Sequence, residues 1–236
     1  MTYIESMVGR LVAENPTRAR VFEKYGIDYC CGGKRKLADV CREKGIELLR
    51  VENELTLADL DAAPDSVNYS EQSMTELADH IEQTHHAYLK HELPRLEMLT
   101  TKVARVHGPE NPKLVKLYEV FVAFRAELES HMQKEEQVLF PICRRLDVER
   151  GAFATHCGSV QNPIRVMILE HDHAGEAMQQ FRELTDNYTA PADACNTFLA
   201  MYDSLRRLEA DMHQHVHKEN NILFPKAIDA EAALVG

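Results

Sequence analysis

One eleven-residue phrase is written twice in the chain, as HMQKEEQVLFP from His131 and as HVHKENNILFP from His215. Both copies obey His-x-x-Lys-Glu-x-x-(Val/Ile)-Leu-Phe-Pro, and both lie late in a long stretch of helical periodicity. Apolar residues recur at helical spacing over 74 to 106, 112 to 146, 161 to 187 and 192 to 229. Between these stretches stand HGPENP, DVERGAFATHCGS and NYTAPAD, and no alternating strand pattern competes. Four long amphipathic helices with fairly short connections predict an all-α chain whose main part, residues 74–236, is an antiparallel four-helix bundle. In such a fold, sites are built from side chains that point inward.

The first 57 residues read differently. MVGRLVAEN, then PTRARVFEKY between Pro16 and Gly26, then KRKLADVCREK closed by Gly45, predict a small domain of short helices over residues 1–57. Residues 58–73 are rich in Pro, Ser, Asn and Asp with little periodicity, and read as a linker.

Composition narrows the function. A chain of 236 residues with 44% hydrophobic content can bury a sizeable core. No run approaches the roughly 20 apolar residues of a membrane helix, and MTYIESMVGR lacks the apolar segment of a secretory signal, so a cytoplasmic location is expected. In that compartment the six cysteines are expected to be reduced, and their spacing fits no zinc finger. A formal charge of −11 opposes nucleic acid or an anionic membrane as partner. Twelve histidines in an acidic chain without Trp make a metal the first hypothesis.

The helical period identifies which histidines face the core. Advancing 100° per residue from His131 collects Leu117, Val120, Phe124, Leu128, Glu135 and Val138 within about 60°. The same construction from His215 collects Met201, Leu205, Leu208, Met212, Glu219 and Ile222 within about 80°, and turns His213 and His217 to the opposite side. His171 shares its face with Ile164, Met167, Ala174, Gly175 and Met178, and His173 does not. On the first helix the downstream Leu89, Leu93 and Leu96 favour His86, whereas Leu77, Ile81 and Tyr88 favour His85. Periodicity leaves that choice open. Spacing selects His86, because it precedes His131 by 45 residues as His171 precedes His215 by 44, which makes the bundle two copies of one helix pair.

Burying one imidazole with a carboxylate one turn on is usually a hydrogen-bonded core pair. Two such pairs, each preceded at matched distance by another inward histidine, favour a shared cation centre. With both glutamates bridging, four histidines and two glutamates give each of two metals two nitrogens and two oxygens. About two of six octahedral positions then remain for a solvent bridge and an exogenous ligand. That donor set favours iron over manganese, zinc, magnesium or calcium. Glu127 and Asp211, one turn before each pair, and Glu170 beside His171 are candidates for orienting imidazoles or relaying protons. His80, His91, His107, His156, His173, His213 and His217 are expected at the surface, and Met167, Met178, Met201 and Met212 in the core.

At these residues the chain resembles the hemerythrin-like four-helix bundle, with His86, His131, Glu135, His171, His215 and Glu219 at the metal-ligand positions. It has four histidines where oxygen-carrying hemerythrin has five, which argues against simple oxygen carriage. Adding YGIDYCCGGKRKL, ARVHGP, SHMQKEEQVLFP, LEHDHAGE and ENNILFP, the chain is similar over nearly its whole length to the iron-sulfur cluster repair di-iron proteins (RIC, YtfE/ScdA type). That resemblance implies a cytoplasmic, non-haem di-iron protein, its two irons bridged by carboxylates and an oxo or hydroxo group. It implies damaged iron-sulfur proteins as clients and nitric oxide or dioxygen as small ligand, with no nucleic acid or membrane partner. A homodimer is compatible with it.

Adjacent Cys30 and Cys31 can pair with each other only through a strained ring, so two thiols are the expected resting state. Lys34, Arg35 and Lys36 are expected to lower the thiol pKa, fitting the pair for iron binding or electron transfer. Cys41, Cys143, Cys157 and Cys195 read as buried small residues. Acid is expected to loosen the metal, because its ligands bind deprotonated. Three rivals stand beside repair: a nitric oxide reductase, an oxygen- or iron-sensing binding protein, and a metal-free bundle with buried ion pairs.

Overall fold

The computed structural model describes residues 3–60, 68–148 and 157–235, and the described residues are almost entirely helical, without a named strand. Four short helices open the chain: α1 Val8–Glu14, α2 Ala19–Lys24, α3 Leu37–Lys44 and α4 Leu48–Leu60. Their ends follow local chemistry. The Asn15 side chain accepts from the Thr17 amide just before Pro16, and Gly45 closes α3 in the left-handed conformation at φ 66°. The residues expected as a linker begin inside α4, and most of that segment, 61–67, lies outside the described residues.

Four long helical rods follow. The first joins α5 Met74–Ile81 to α6 Ala87–His107 through a π-helical turn at Glu82–His86. The second joins α7 Pro112–Lys134 to α8 Phe140–Val148 through a π turn at Glu135–Leu139. The third is α9 Gln161–Leu184. The fourth joins α10 Asn196–Lys218 to α11 Phe224–Val235 through a π turn at Glu219–Leu223. All three π turns contain a residue singled out above, in keeping with the concentration of such turns at functional sites.

Two compact units emerge. The first comprises Met1–Ala78, Cys143–Ala154 and His213–Gly236, and the second Asp79–Ile142 and Thr155–Met212, each in its described parts. The second unit holds four helical segments around Leu89, Leu93, Phe121, Phe124, Phe181, Leu205 and Leu208, all 3% exposed or less. Its helices are amphipathic as the periodicity predicts, and Met167, Met178, Met201 and Met212 pack in its core. In the first unit, Tyr3, Leu11, Phe22, Leu37, Val51 and Leu55 belong to one apolar cluster. That cluster is edged by the forked Arg18–Asp59 pair at 2.7 and 2.8 Å, with the Tyr3 hydroxyl donating to the same carboxylate.

Candidate metal centre

In the second unit the π turn at Glu82–His86 buries two consecutive histidines. The His85 Nδ1 lies 2.8 Å from Asp211 Oδ1, and the His86 Nδ1 lies 2.8 Å from Glu136 Oε1. Across the bundle, the His131 Nδ1 lies 2.9 Å from Glu170 Oε2. Lys90 and Lys134 reach the far sides of Glu136 and Glu170. Burial pushes both carboxyls up, but hydrogen bonds from lysine and imidazole outweigh it and hold Glu136 and Glu170 below the usual carboxylate range. Both carboxylates are therefore ionised and can only accept, which places the proton of each imidazole on Nδ1.

The tautomer has a direct consequence. With Nδ1 turned to its carboxylate, each of the His86 and His131 rings presents Nε2 to the interior, as a lone pair when the ring is neutral. Those atoms sit 3.3 and 3.2 Å from Glu135 Oε2, and the His171 Nε2 is 3.1 Å from that of His131. His86 and Glu135 are fully buried, and His131 and His171 nearly so. Acceptors gathered this closely in a dry interior repel one another unless a positive charge sits among them. Imidazole Nε2 atoms and a carboxylate fit a borderline transition metal, and each ring is held from behind by a carboxylate as metal-binding histidines are. The donor set is that of a metal site.

In the first unit, His215 and Glu219 are fully buried, with His215 Nε2 3.0 Å from Glu219 Oε1. This is the same one-turn arrangement as His131 and Glu135. The opposite face of the same helix has its own task. His217 is buried against the Tyr29 ring, its Nδ1 3.4 Å from the Tyr29 carbonyl, and Asn221 donates to the carbonyls of Tyr29 and Cys30. The equivalent positions in the first copy, Gln133 and Gln137, are exposed. The surface placement expected for His217 is thus corrected. Periodicity turned it away from one core, and the apolar residues of the first unit cover its other side, pushing its pKa down to about 4.

The Asp28 carboxylate organises the thiol loop of the first unit. It accepts from the amides of Cys30, Cys31 and Gly32 at 2.8 to 3.0 Å, and from the Cys30 thiol at 3.1 Å. Neither cysteine is in a disulfide, their sulfurs are 4.0 Å apart, and together with Asp28 they form a cluster of potential metal ligands. The expectation of a lowered thiol pKa fails for Cys30. Its hydrogen bond with Cys31, burial and Asp28 all push it well up, while two of the three charges expected to lower it are engaged elsewhere, Arg35 with Glu43 and Lys36 with Glu5.

Other placements differ from expectation in instructive ways. Glu170 orients His131, whereas Glu127 is exposed at the rim of a cavity of about 20 Å³ lined by Phe124, His131, Glu170, His171 and Met212. Asp211 holds His85. Glu136, which orients His86, escaped the sequence reading, although the doubled glutamate in KEEQ is its only signal. Cys41 and Cys143 are buried, but Cys157 is half-buried and Cys195 exposed. His91 and His173 are exposed, His80, His107 and His213 half-buried, and His156 lies outside the described residues.

An all-α bundle that turns imidazoles and carboxylates inward defines a cation-binding helical protein, and the comparisons with known proteins agree. Residues 77–227 match the hemerythrin HHE cation binding domain, and residues 4–59 match ScdA_N, a domain of unknown function. The chain is 38% identical over 233 residues to the iron-sulfur cluster repair protein YtfE of Escherichia coli O157:H7, covering 98% of this chain and 100% of that one. It is 37% identical over 231 residues to the protein of the same name from Enterobacter sp. (strain 638), again covering 98% and 100%. The chain belongs to the YtfE family of iron-sulfur cluster repair proteins. Among the described residues no helix is long and apolar enough to cross a membrane.

Proposed function

We propose that this chain repairs iron-sulfur clusters damaged by nitrosative or oxidative stress in the cytoplasm, using two iron ions bound in the bundle. Its clients are damaged iron-sulfur proteins, and its small ligand is nitric oxide or dioxygen. The observation that carries the reading is the buried cluster of acceptors in the second unit, in which Nε2 of His86 and of His131 both face the Glu135 carboxylate. The repeated phrase extends it. His215 and Glu219 repeat, one turn apart, the arrangement of His131 and Glu135. The hemerythrin match, running unbroken over residues 77–227, supports taking all six residues as one centre.

When bound, the irons supply redox-active positions for a diatomic ligand and a store of metal for a damaged cluster. The protein's part is to prepare the donors. Glu136 and Glu170 fix the imidazole tautomers, Lys90 and Lys134 keep those carboxylates ionised, and Phe124, Leu128 and Met212 exclude bulk water. The test is metal analysis with an optical spectrum of the purified protein, followed by reactivation of a nitric oxide-treated iron-sulfur enzyme. The expected result is two irons per chain and recovery of client activity that depends on them. Absence of iron, or iron-loaded protein that leaves the client inactive, would overturn the proposal.

A further inference from the structure

Far from the proposed ligands in sequence, one thiol of the second unit is placed for chemistry of its own. Cys195 immediately precedes the 23-residue helix α10, and its carbonyl accepts the first helical hydrogen bond, from Leu199. Its Sγ lies 3.6 Å from His107 Nε2 at the end of α6. The imidazole is fixed in turn by edge-on contact with the Phe198 ring, 5.7 Å between centroids. Cys195 is exposed, whereas Cys41 and Cys143 are buried. Amides of the first turn of α10 donate to the sulfur, and the His107 Nε2 lies within hydrogen-bond distance of it. The Phe198 amide acts most strongly, followed by His107, and together they hold the thiol below its ordinary range.

We propose that the Cys195–His107 pair is a modification site at which small-molecule disulfides form a mixed disulfide with Cys195. The Cys195 proton passes to His107 Nε2 or to solvent. The thiolate then attacks one sulfur of the disulfide, the incoming S–S bond breaks as the new one forms, and the departing thiolate carries off the electron pair and takes up a proton. Cys195 is oxidised, and half of the incoming disulfide is reduced. No metal takes part, so the site is independent of the repair reading. The helix-terminal amides stabilise the attacking anion, and Cys195 is exposed to solvent.

The test treats the full-length, metal-loaded protein with glutathione disulfide between pH 6 and 9 and follows each cysteine by peptide mass spectrometry. Cys157, a half-buried thiol of the same chain, serves as internal reference. At pH 7 Cys195 should be modified roughly threefold or more faster than Cys157, because a greater thiolate fraction outweighs the lower nucleophilicity of a more acidic thiol. Its rate should titrate with a midpoint below the ordinary thiol value of about 8.5, and His107→Gln should move that midpoint up. Neutral hydroxyethyl disulfide should give the same order of reactivity, which separates thiol acidity from attraction of an anionic reagent. Equal rates at Cys195 and Cys157, or a midpoint unmoved in H107Q, would overturn the proposal. A Cys195→Ser protein that still gains one glutathione at the same rate would do so as well.

Discussion

The two units use carboxylates to opposite ends. In the second, Glu136 and Glu170 stand behind imidazoles, are kept ionised by Lys90 and Lys134, and turn Nε2 of each ring to the interior. In the first, Asp28 stands directly against a thiol and helps hold Cys30 protonated. One arrangement prepares donors for a cation before any cation arrives. The other withholds a donor, so the thiol loop needs an event that lifts Asp28 away, or a cation that displaces the proton, before Cys30 can act as a thiolate. The number of acidic residues near a site therefore says little about its readiness for metal. What matters is which atom the carboxylate faces, and whether a lysine stands behind it.

Glu135→Leu should break this contrast most severely. Removing the carboxylate that both His86 and His131 face should cut bound iron by about half or more, because ligand loss here is loss of the shared oxygen. The same substitution should make the metal-free protein more stable, by about 1–3 kcal/mol, since it replaces a buried charge with an apolar group of similar volume. Metal analysis and thermal unfolding of the chelated protein check the two halves. Unchanged iron content, or a destabilised apo form, would show that the acceptor cluster is not a site prepared for a cation.

Glu136→Gln probes the layer behind the ligand. The glutamine amide can present either an acceptor or a donor to His86 Nδ1, so the tautomer is no longer dictated. Metal affinity should fall by roughly 10- to 100-fold, as it does when such outer partners are lost. Competition with a chelator of known affinity measures the change. An affinity equal to that of the parent would mean that Glu136 merely packs.

Much of this could be read from the sequence, and the failures have a common physical cause. The periodicity located the four rods and the inward positions His131, His171 and His215. It could not choose between His85 and His86, because a π turn inserts one extra residue into the helical count. Residues before Glu82 then keep one phase and residues after His86 keep another. Both histidines are buried, one toward Asp211 and one toward Glu136. The same slip explains why Leu139, rather than the expected Val138, is the buried residue after Glu135. His217 was misplaced for a different reason. A single-face reading assumes solvent on the far side, whereas Tyr29 and Asn221 occupy it. The thiol pKa was misjudged because sequence proximity to Lys34, Arg35 and Lys36 carries no information on which acids neutralise them.

A smaller effect tests whether the first unit is held together by protein alone. Asp59 is pushed up by burial but pulled further down by hydrogen bonds from Arg18, Tyr3 and Asn15, so its folded pKa lies below its ordinary value. A depressed carboxyl contributes stability that is present above the unfolded value of about 3.9 and is lost as pH falls through the folded one. Asp59→Asn should therefore destabilise the metal-free protein by about 1 kcal/mol at pH 7, after allowance for partial exposure, with the deficit shrinking below pH 4. Chemical denaturation at the two pH values, with chelator present, reads this directly. A deficit that persists in acid would assign the loss to packing rather than to charge.

The smallest expected effect bears on the thiol loop. In Asp28→Asn the side-chain oxygen can still accept from the amides of Cys30, Cys31 and Gly32, so the loop keeps its shape while the negative charge beside Cys30 disappears. Cys31 and burial remain the larger causes of its raised pKa, and only the contribution of Asp28 is removed. Alkylation of Cys30 at pH 8 should accordingly quicken by no more than roughly threefold, since thiolate fraction rises while nucleophilicity falls slightly. Iron content in the bundle should stay as it was, because Asp28 is not among the proposed ligands. If Cys30 reacted no faster although the loop amides kept their hydrogen-exchange protection, the charge of Asp28 would be irrelevant to the thiol, and the contrast between the two units would reduce to burial alone.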